Sequence, residues 1–92
     1  LAQRAVDEFG RLDIWINNAG GSLVSAPLVD LDPAEWDKTL SVNLTSVFWG
    51  VRAAVKHMHH GGAIVNTSSL AGQDPFPGSG HYSAAKAGVN ML

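Results

Sequence analysis

Two short segments that contain apolar runs constrain the fold of this chain more than any other feature of its sequence. The first, Leu12–Asn17, is nearly continuously apolar, and the second, Ala63–Ser69, begins with Ala-Ile-Val and ends in hydroxyl residues; glycines lie before and after both. A continuous apolar run of this length is typical of a parallel strand that is buried on both faces. We therefore expect two buried parallel strands, each followed by polar or glycine residues.

Helical patterns surround and separate these two segments. Before the first, apolar residues repeat at helical spacing from Leu1 up to Gly10, a residue suited to end a helix. Between them, Asp32 is a candidate N-cap, with Pro33 at the first helical position, and the long helix that follows is predicted to end at Gly61. A last helix is predicted from Tyr82 to the end of the chain. The order helix, strand, helix, strand, helix predicts an α/β fold with a right-handed parallel crossover.

Neither terminal helix has a complete set of end signals. No N-cap precedes the helix at Leu1, and no Gly, Asn or Pro follows the one at Leu92. We expect residues 1–92 to be the central part of one larger domain, truncated at both ends.

Composition excludes several classes of protein. Six Lys and Arg against eight Asp and Glu give a net charge of -2, which argues against a nucleic-acid surface or a polybasic membrane patch. The sequence has no Cys, so it contains neither a disulfide framework nor a thiolate metal site. With 46% hydrophobic residues and no long apolar run, it is expected to be a soluble, cytoplasmic protein that does not bind membranes.

The candidate site lies where the two strands end, because ligands of parallel sheets bind beyond the carboxyl ends of the strands. Asn17–Gly20 follows the first strand, and Ser68 and Ser69 close the second. In the last helix, Tyr82 and Lys86 are four residues apart and share one face. A phenol moves protons readily at neutral pH only when a nearby positive charge stabilises its phenolate. This trio of serine, tyrosine and lysine suits the interconversion of a carbonyl and an alcohol.

These residues resemble the short-chain dehydrogenases/reductases, in the branch with an Asn-Asn-Ala-Gly motif. The resemblance covers essentially the whole chain, and four motifs occur in the family's order: Asn17–Gly20, Asn43 within Ser-Val-Asn-Leu, Ile64–Ser69, and Tyr82–Lys86. Ser69 lies 13 residues before Tyr82, the spacing that the family expects, and this selects Ser69 over Ser68.

The resemblance implies a Rossmann-like, doubly wound parallel sheet and an oxidoreductase that uses NAD or NADP. It implies that Tyr82 is the acid/base, Ser69 polarises the substrate oxygen, and Asn43 maintains a water-linked proton relay to Lys86. Lys86 would stabilise the phenolate and hold the nicotinamide ribose. The cofactor would also contact Asn18, Ala19 and Gly20, the last allowing close approach of the backbone.

The same resemblance also implies where other parts of the longer protein lie. It places the glycine-rich phosphate loop before Leu1, the substrate-covering loop after Leu92, and a homodimer or homotetramer interface on the two longer helices. The substrate is expected to be a small alcohol or ketone. A 3-oxoacyl-[acyl-carrier-protein] reductase stays open, although no basic docking patch is evident, and so does a nonenzymatic nucleotide-binding relative.

Simpler interpretations are preferred for several other polar residues. His57, His59 and His60 are interpreted as the polar end of a helix rather than a metal site. Asn17 is interpreted as a tie between neighbouring loops. His81 is interpreted as a loop residue near the substrate cleft, without a role as a second base.

Overall fold

Two parallel strands and four α-helices make up the chain, all 92 residues of which are described by a computed structural model. The α-helices are α1 (Ala2–Phe9), α2 (Pro33–Leu40), α3 (Ser46–Val55) and α4 (Gly80–Met91). The strands are β1 (Ile14–Asn17) and β2 (Ala63–Asn66). A π-helical turn, Ser41–Thr45, joins α2 to α3, and a 3₁₀ turn, Leu70–Gly72, follows β2. The predicted α/β order is confirmed.

The helix starts and stops that the sequence predicts are mostly present. Gly10 ends α1 in the left-handed conformation at φ 84°, where its missing Cβ avoids a steric cost. Asp32 caps α2 by accepting a hydrogen bond from the N–H of Ala34, and Pro33 occupies the first helical position.

The predicted end of the long helix at Gly61 is wrong. The helix is divided by the π-helical turn and its last segment stops at Val55. Beyond that residue the N–H groups of His57 and Met58 bond to carbonyls only three residues back, at Ala54 and Val55. Bonds of this kind tighten the last turn of a helix and finish it.

The two strands pair in parallel, with Ile14 opposite Ala63 and Asn17 opposite Asn66. Both are shorter than predicted, but the pairing extends by one bond at the carboxyl end, from the Thr67 N–H to the Asn17 carbonyl. This places the chain after β1 directly beside the chain after β2.

The prediction that both faces of the strands are buried is wrong for this chain. Helices cover one face only, around a core made of Ala2, Leu12 and Ala54 with Trp15 and Ile64 packed against it. On the other face, side chains that alternate with these stay open to solvent: Ile14 (64% exposed), Ile16 (61%) and Val65 (50%). Helices on both faces of a parallel sheet are the usual cover for such residues.

Helix α3 crosses β1 at Gly50, and this crossing has no room for a side chain. Asn17 links the two strands by donating to the Asn66 side chain (2.9 Å) while accepting from the Trp15 indole (2.7 Å). This confirms a structural role for Asn17. A Cβ on Gly50 would collide with the Asn17 amide and lie 3.0 Å from the indole nitrogen of Trp15.

We expect Gly50→Ala to destabilise the protein by about 1–3 kcal/mol, because overpacking outweighs the gain in helix propensity. Urea unfolding measures this change. Gly50→Ala introduced into an Asn17→Ala background, where the nearest atoms are gone, should cost much less. A Gly50→Ala protein more stable than the parent would show that the crossing is looser than described.

The His57 side chain fastens α1 to the end of α3. Its Nδ1 lies 2.9 Å from the Ala53 carbonyl oxygen and its Nε2 lies 2.9 Å from Oε1 of Gln3.

No group of three His, Asp or Glu side chains is placed to hold a metal ion, and no helix is both long and apolar enough to cross a membrane.

Candidate active site

Asn43 lies at the centre of the π-helical turn and is fully buried. Its Nδ2 donates to the carbonyls of Thr39 (2.9 Å) and Gly21 (3.0 Å), and its Oδ1 accepts from the Gly21 N–H (2.8 Å). Both donor hydrogens of the amide are therefore used, which meets the requirement that a buried amide be hydrogen-bonded. Asn43 thereby fixes the chain just after β1 against the helix.

The π-helical turn accounts for how this amide reaches Gly21. Within it, the N–H of Ser46 bonds to the carbonyl of Ser41, five residues back instead of four. Single turns of this type are rare inside helices and occur mostly at functional sites. The turn rotates the helix locally and places Asn43 on the face that meets the carboxyl end of β1.

Gly20 lies where Asn43 and Lys86 approach each other. A Cβ built on Gly20 would be 2.6 Å from the Asn43 Oδ1 and 3.3 Å from the Lys86 Nζ. Its backbone also adopts φ 149°, which side chains rarely allow. An amide from the π-helical turn and an ammonium from α4 therefore converge on a residue that has to be glycine.

Lys86 is almost completely buried, with 3% of its surface exposed. Its Nζ donates to the Thr67 carbonyl at 3.0 Å and lies 5.7 Å from the centroid of the Tyr82 ring. A lysine ammonium has three N–H donors, and burying one is costly unless these donors find acceptors. The donors that do not bond to Thr67 are available to a polar ligand at this edge.

Tyr82 is half-buried in the first turn of α4, one turn before Lys86. The two side chains share one helix face, as their spacing predicts, and the ammonium is close enough to act on the phenol electrostatically.

The two serines after β2 have different partners. Ser68 directs its hydroxyl to α4, donating to the Lys86 carbonyl at 3.2 Å. The Ser69 Oγ instead accepts from the N–H of Ala71 at 3.2 Å, which leaves its own hydrogen available to donate. The hydroxyl hydrogen of Ser68 is therefore used within the fold, whereas that of Ser69 is not.

The remaining predicted site residues, Asn18 and Ala19, lie exposed between β1 and Gly20. Thr67 donates its hydroxyl to the Asn18 Oδ1 at 3.2 Å, which joins the two strand ends. The fold thus brings the predicted residues to one edge of the sheet.

Sequence reasoning missed the groups that hold these side chains. Lys86 is held by a carbonyl of Thr67, and Asn43 by the backbone of Gly21. Backbone atoms give no side-chain signal, so only the fold can identify them.

The interpretation of His81 as a loop residue is wrong. It belongs to α4, is fully buried, and its Nε2 lies 2.9 Å from the Val24 carbonyl oxygen. The helix begins two residues earlier than predicted, at Gly80, and this brings His81 under the loop that follows β1.

The one clear pair of opposite charges near β1 lies at its other end. Arg11 hydrogen-bonds the exposed Asp13 carboxylate at 2.8 Å, and this bond holds the Asp13 pKa below its ordinary value. Asp13 precedes the amino end of β1, so it takes no part in the site at the carboxyl end.

Known proteins match this arrangement over its full length. A sequence model of the short chain dehydrogenases matches residues 1–92. In Mycobacterium tuberculosis, (5R,7aS)-5-hydroxy-7a-methyl-1-oxo-2,3,5,6,7,7a-hexahydro-1H-indene-carboxyl-CoA reductase is 47% identical over 96 residues, a match that covers 100% of this chain and 36% of the reductase.

Two further relatives extend the comparison. Cis-4-hydroxycyclohexanecarboxylate dehydrogenase of Sinomonas cyclohexanicum is 45% identical, with 100% of this chain and 38% of the dehydrogenase covered. The crystal structure of carveol dehydrogenase from Mycobacterium avium in complex with NAD superposes with a TM-score of 0.94 at 39% identity, covering 99% of this chain and 34% of that one. The chain spans little more than a third of each relative's length. From the ordered motifs, the parallel crossover and these matches, we conclude that it belongs to the short-chain dehydrogenase/reductase family.

Proposed function

We propose that this chain is the central segment of an NAD(P)-binding Rossmann domain, in a longer oxidoreductase that interconverts a secondary alcohol and a ketone. The observation that supports this most strongly is the buried Lys86 ammonium, which lies beside the Tyr82 ring and reaches the same glycine as Asn43. An acid/base, a cation that tunes it and a polar anchor are the groups that such a reaction needs.

The residues present fit a nicotinamide dinucleotide. Lys86 has N–H donors beyond its bond to Thr67, which suits the hydroxyls of a ribose. Next to it, the exposed segment of Asn18, Ala19 and Gly20 lets a ligand approach the backbone closely. When bound, NAD or NADP would supply or accept the hydride. Lys86 would hold the cofactor from the side of α4, and the Tyr82 ring would contact it there.

The reaction at the substrate oxygen uses three side chains with different roles. Tyr82 takes the proton of the alcohol during oxidation and returns it to the oxygen during reduction. Lys86 stabilises the phenolate that accepts this proton during oxidation and that forms again during reduction. Ser69 donates a hydrogen bond to the oxygen as negative charge develops on it. Asn43 supports a water-linked relay by which the proton leaves towards Lys86.

Within this reaction class we propose a substrate whose hydroxyl is carried by a carbon ring. The names of the two enzymes from M. tuberculosis and S. cyclohexanicum both specify a hydroxyl on such a ring. A 3-oxoacyl-[acyl-carrier-protein] reductase is less well supported, because Arg and Lys form no cluster that would dock an acidic carrier protein and the net charge is -2. A nonenzymatic relative would not need Ser69, Tyr82 and Lys86 together.

The test is an assay of the full-length enzyme with NAD and with NADP, following nicotinamide absorbance. Cis-4-hydroxycyclohexanecarboxylate serves as the ring-alcohol probe and an acetoacetyl thioester as the competing probe. Oxidation of the ring alcohol supports the proposal, and reduction of the thioester alone favours the carrier-protein alternative. Cofactor binding without turnover of any alcohol or ketone would favour the nonenzymatic alternative.

Ser69→Ala should lower kcat by about 10²–10³-fold, the typical cost of removing one donor to a developing oxyanion. Ser68→Ala is the matched control, since its hydroxyl is used on the Lys86 carbonyl and its loss should mainly lower stability. Steady-state kinetics of the two variants decide between the serines. A larger loss of kcat in Ser68→Ala would reverse their roles.

The homodimer or homotetramer and the cytoplasmic location stay predictions. In favour of an oligomer, Phe48 and Trp49 on α3 are 47% and 57% exposed and contact each other edge to face. Large aromatic side chains in such a position are typical of surfaces that associate.

A further inference from the structure

His81, the residue before Tyr82, is fully buried and spans the gap between α4 and the loop after β1. Its Nε2 lies 2.9 Å from the Val24 carbonyl oxygen, and its Nδ1 is buried without a hydrogen-bond partner. A carbonyl can only accept, so Nε2 carries the hydrogen of this bond. Its ring is therefore fastened to the rest of the protein by one hydrogen bond, which leads to Val24.

The loop that contains Val24 lies directly on the start of α4. The N–H of Ala26 donates to the Gly78 carbonyl at 2.9 Å. A Cβ on Gly80 would be 3.2 Å from the side chain of Leu28, so glycine at this position permits the close approach. The beginning of the same loop is held by Asn43, through the backbone of Gly21.

This arrangement places the loop between two parts of the proposed site. At one end it adjoins the amide of Asn43, and in its middle it is bonded to the neighbour of Tyr82. Between these two points, Leu23 and Val24 remain 48% and 36% exposed. Leu23 and Val24, called the apolar wall below, are suited by their type and exposure to pack against the ring of a substrate.

We propose that His81 is a positioning residue: by donating from Nε2 to the Val24 carbonyl, it sets the distance between this apolar wall and Tyr82. The inference rests on the proposed function, since it concerns the substrate side of the same site. Loss of the bond should weaken binding of the alcohol. Binding of the cofactor should be unaffected, because Asn43 and Lys86 hold that side independently.

Glutamine and methionine at position 81 separate positioning from simple packing. Both are unbranched and nearly equal in length, but only glutamine has an N–H that can reach the Val24 carbonyl. In the full-length enzyme we expect His81→Met to raise the KM for the ring alcohol about tenfold, the effect of one lost hydrogen bond. His81→Gln should stay within about threefold of the parent by the same reasoning. The Kd of the nicotinamide cofactor should be equal in all three proteins.

A merely structural role would lower the amount of active enzyme, and so kcat, without this difference in KM. Equal KM values for the Gln and Met variants, or a parental KM in the Met variant, would overturn the proposal. So would a ¹⁵N-histidine NMR spectrum of the parent showing the hydrogen on Nδ1, a measurement that does not depend on how the variants fold. If the parent enzyme oxidises no alcohol, the proposed function fails, whereas the spectrum still tests the hydrogen bond to Val24.

Discussion

Tyr82→Phe in the full-length enzyme is expected to lower kcat by about 10²–10⁴-fold, the usual contribution of a positioned acid/base. Phenylalanine keeps the ring that lies 5.7 Å from the Lys86 Nζ, so the packing at the start of α4 is retained. What it lacks is the hydroxyl that exchanges a proton with the substrate. Because that exchange belongs to the transition state, kcat should fall while the Kd of the cofactor changes little.

Stopped-flow or steady-state kinetics, together with a fluorescence titration of NADH, measure both quantities. Tyr82→Phe with a kcat within a few-fold of the parent would remove Tyr82 from its proposed role. A parallel loss of cofactor affinity and of melting temperature would show instead that the hydroxyl serves the fold. Ser83→Ala, on the next position of the same helix turn, is the control for the effect of losing a hydroxyl in α4.

Gly20→Ala should abolish activity almost as completely, although Gly20 has no side chain to take part in chemistry. The added Cβ would lie 2.6 Å from the Asn43 Oδ1 and 3.3 Å from the Lys86 Nζ, so both groups have to move. A displacement of about 1 Å in a catalytic group can cost on the order of 10²-fold in rate. We expect a loss of at least that size, with weaker binding of the cofactor.

Gly21→Ala is the matched control for this variant. Nothing lies within 4 Å of a Cβ at Gly21, and alanine keeps the N–H and carbonyl that bond to Asn43. Gly21→Ala should therefore keep nearly the parental kcat/KM and cofactor Kd. Equal activities of the two variants would mean that the close approach at Gly20 does not matter for function.

The sequence was most informative where a local signal determines structure. Asp32 and Pro33 marked the start of α2, and Gly10 marked the end of α1, because capping depends on neighbouring residues alone. The two apolar runs predicted two parallel strands, each followed by polar or glycine residues. Pairing of the strands does bring these ends together.

Features that depend on distant contacts could not be predicted in this way. The π-helical turn forms where the Asn43 amide meets the backbone of Gly21, twenty-two residues away in sequence. His81 is buried because a loop 57 residues distant offers the Val24 carbonyl. In both cases a side chain hydrogen-bonds to a backbone group. Because backbone groups are nearly the same for every residue type, the sequence does not identify such a partner.

The central claim is that Tyr82, Ser69 and Lys86 act together at the carboxyl edge of the sheet, and a crystal structure of the full-length enzyme with NADH and a ring ketone tests it most directly. We predict that the Tyr82 hydroxyl and the Ser69 Oγ both lie within hydrogen-bond distance of the ketone oxygen. We predict also that the Lys86 Nζ bonds to the ribose next to the nicotinamide. A ketone oxygen held by Ser68 or by other groups, with Tyr82 out of reach, would contradict the account.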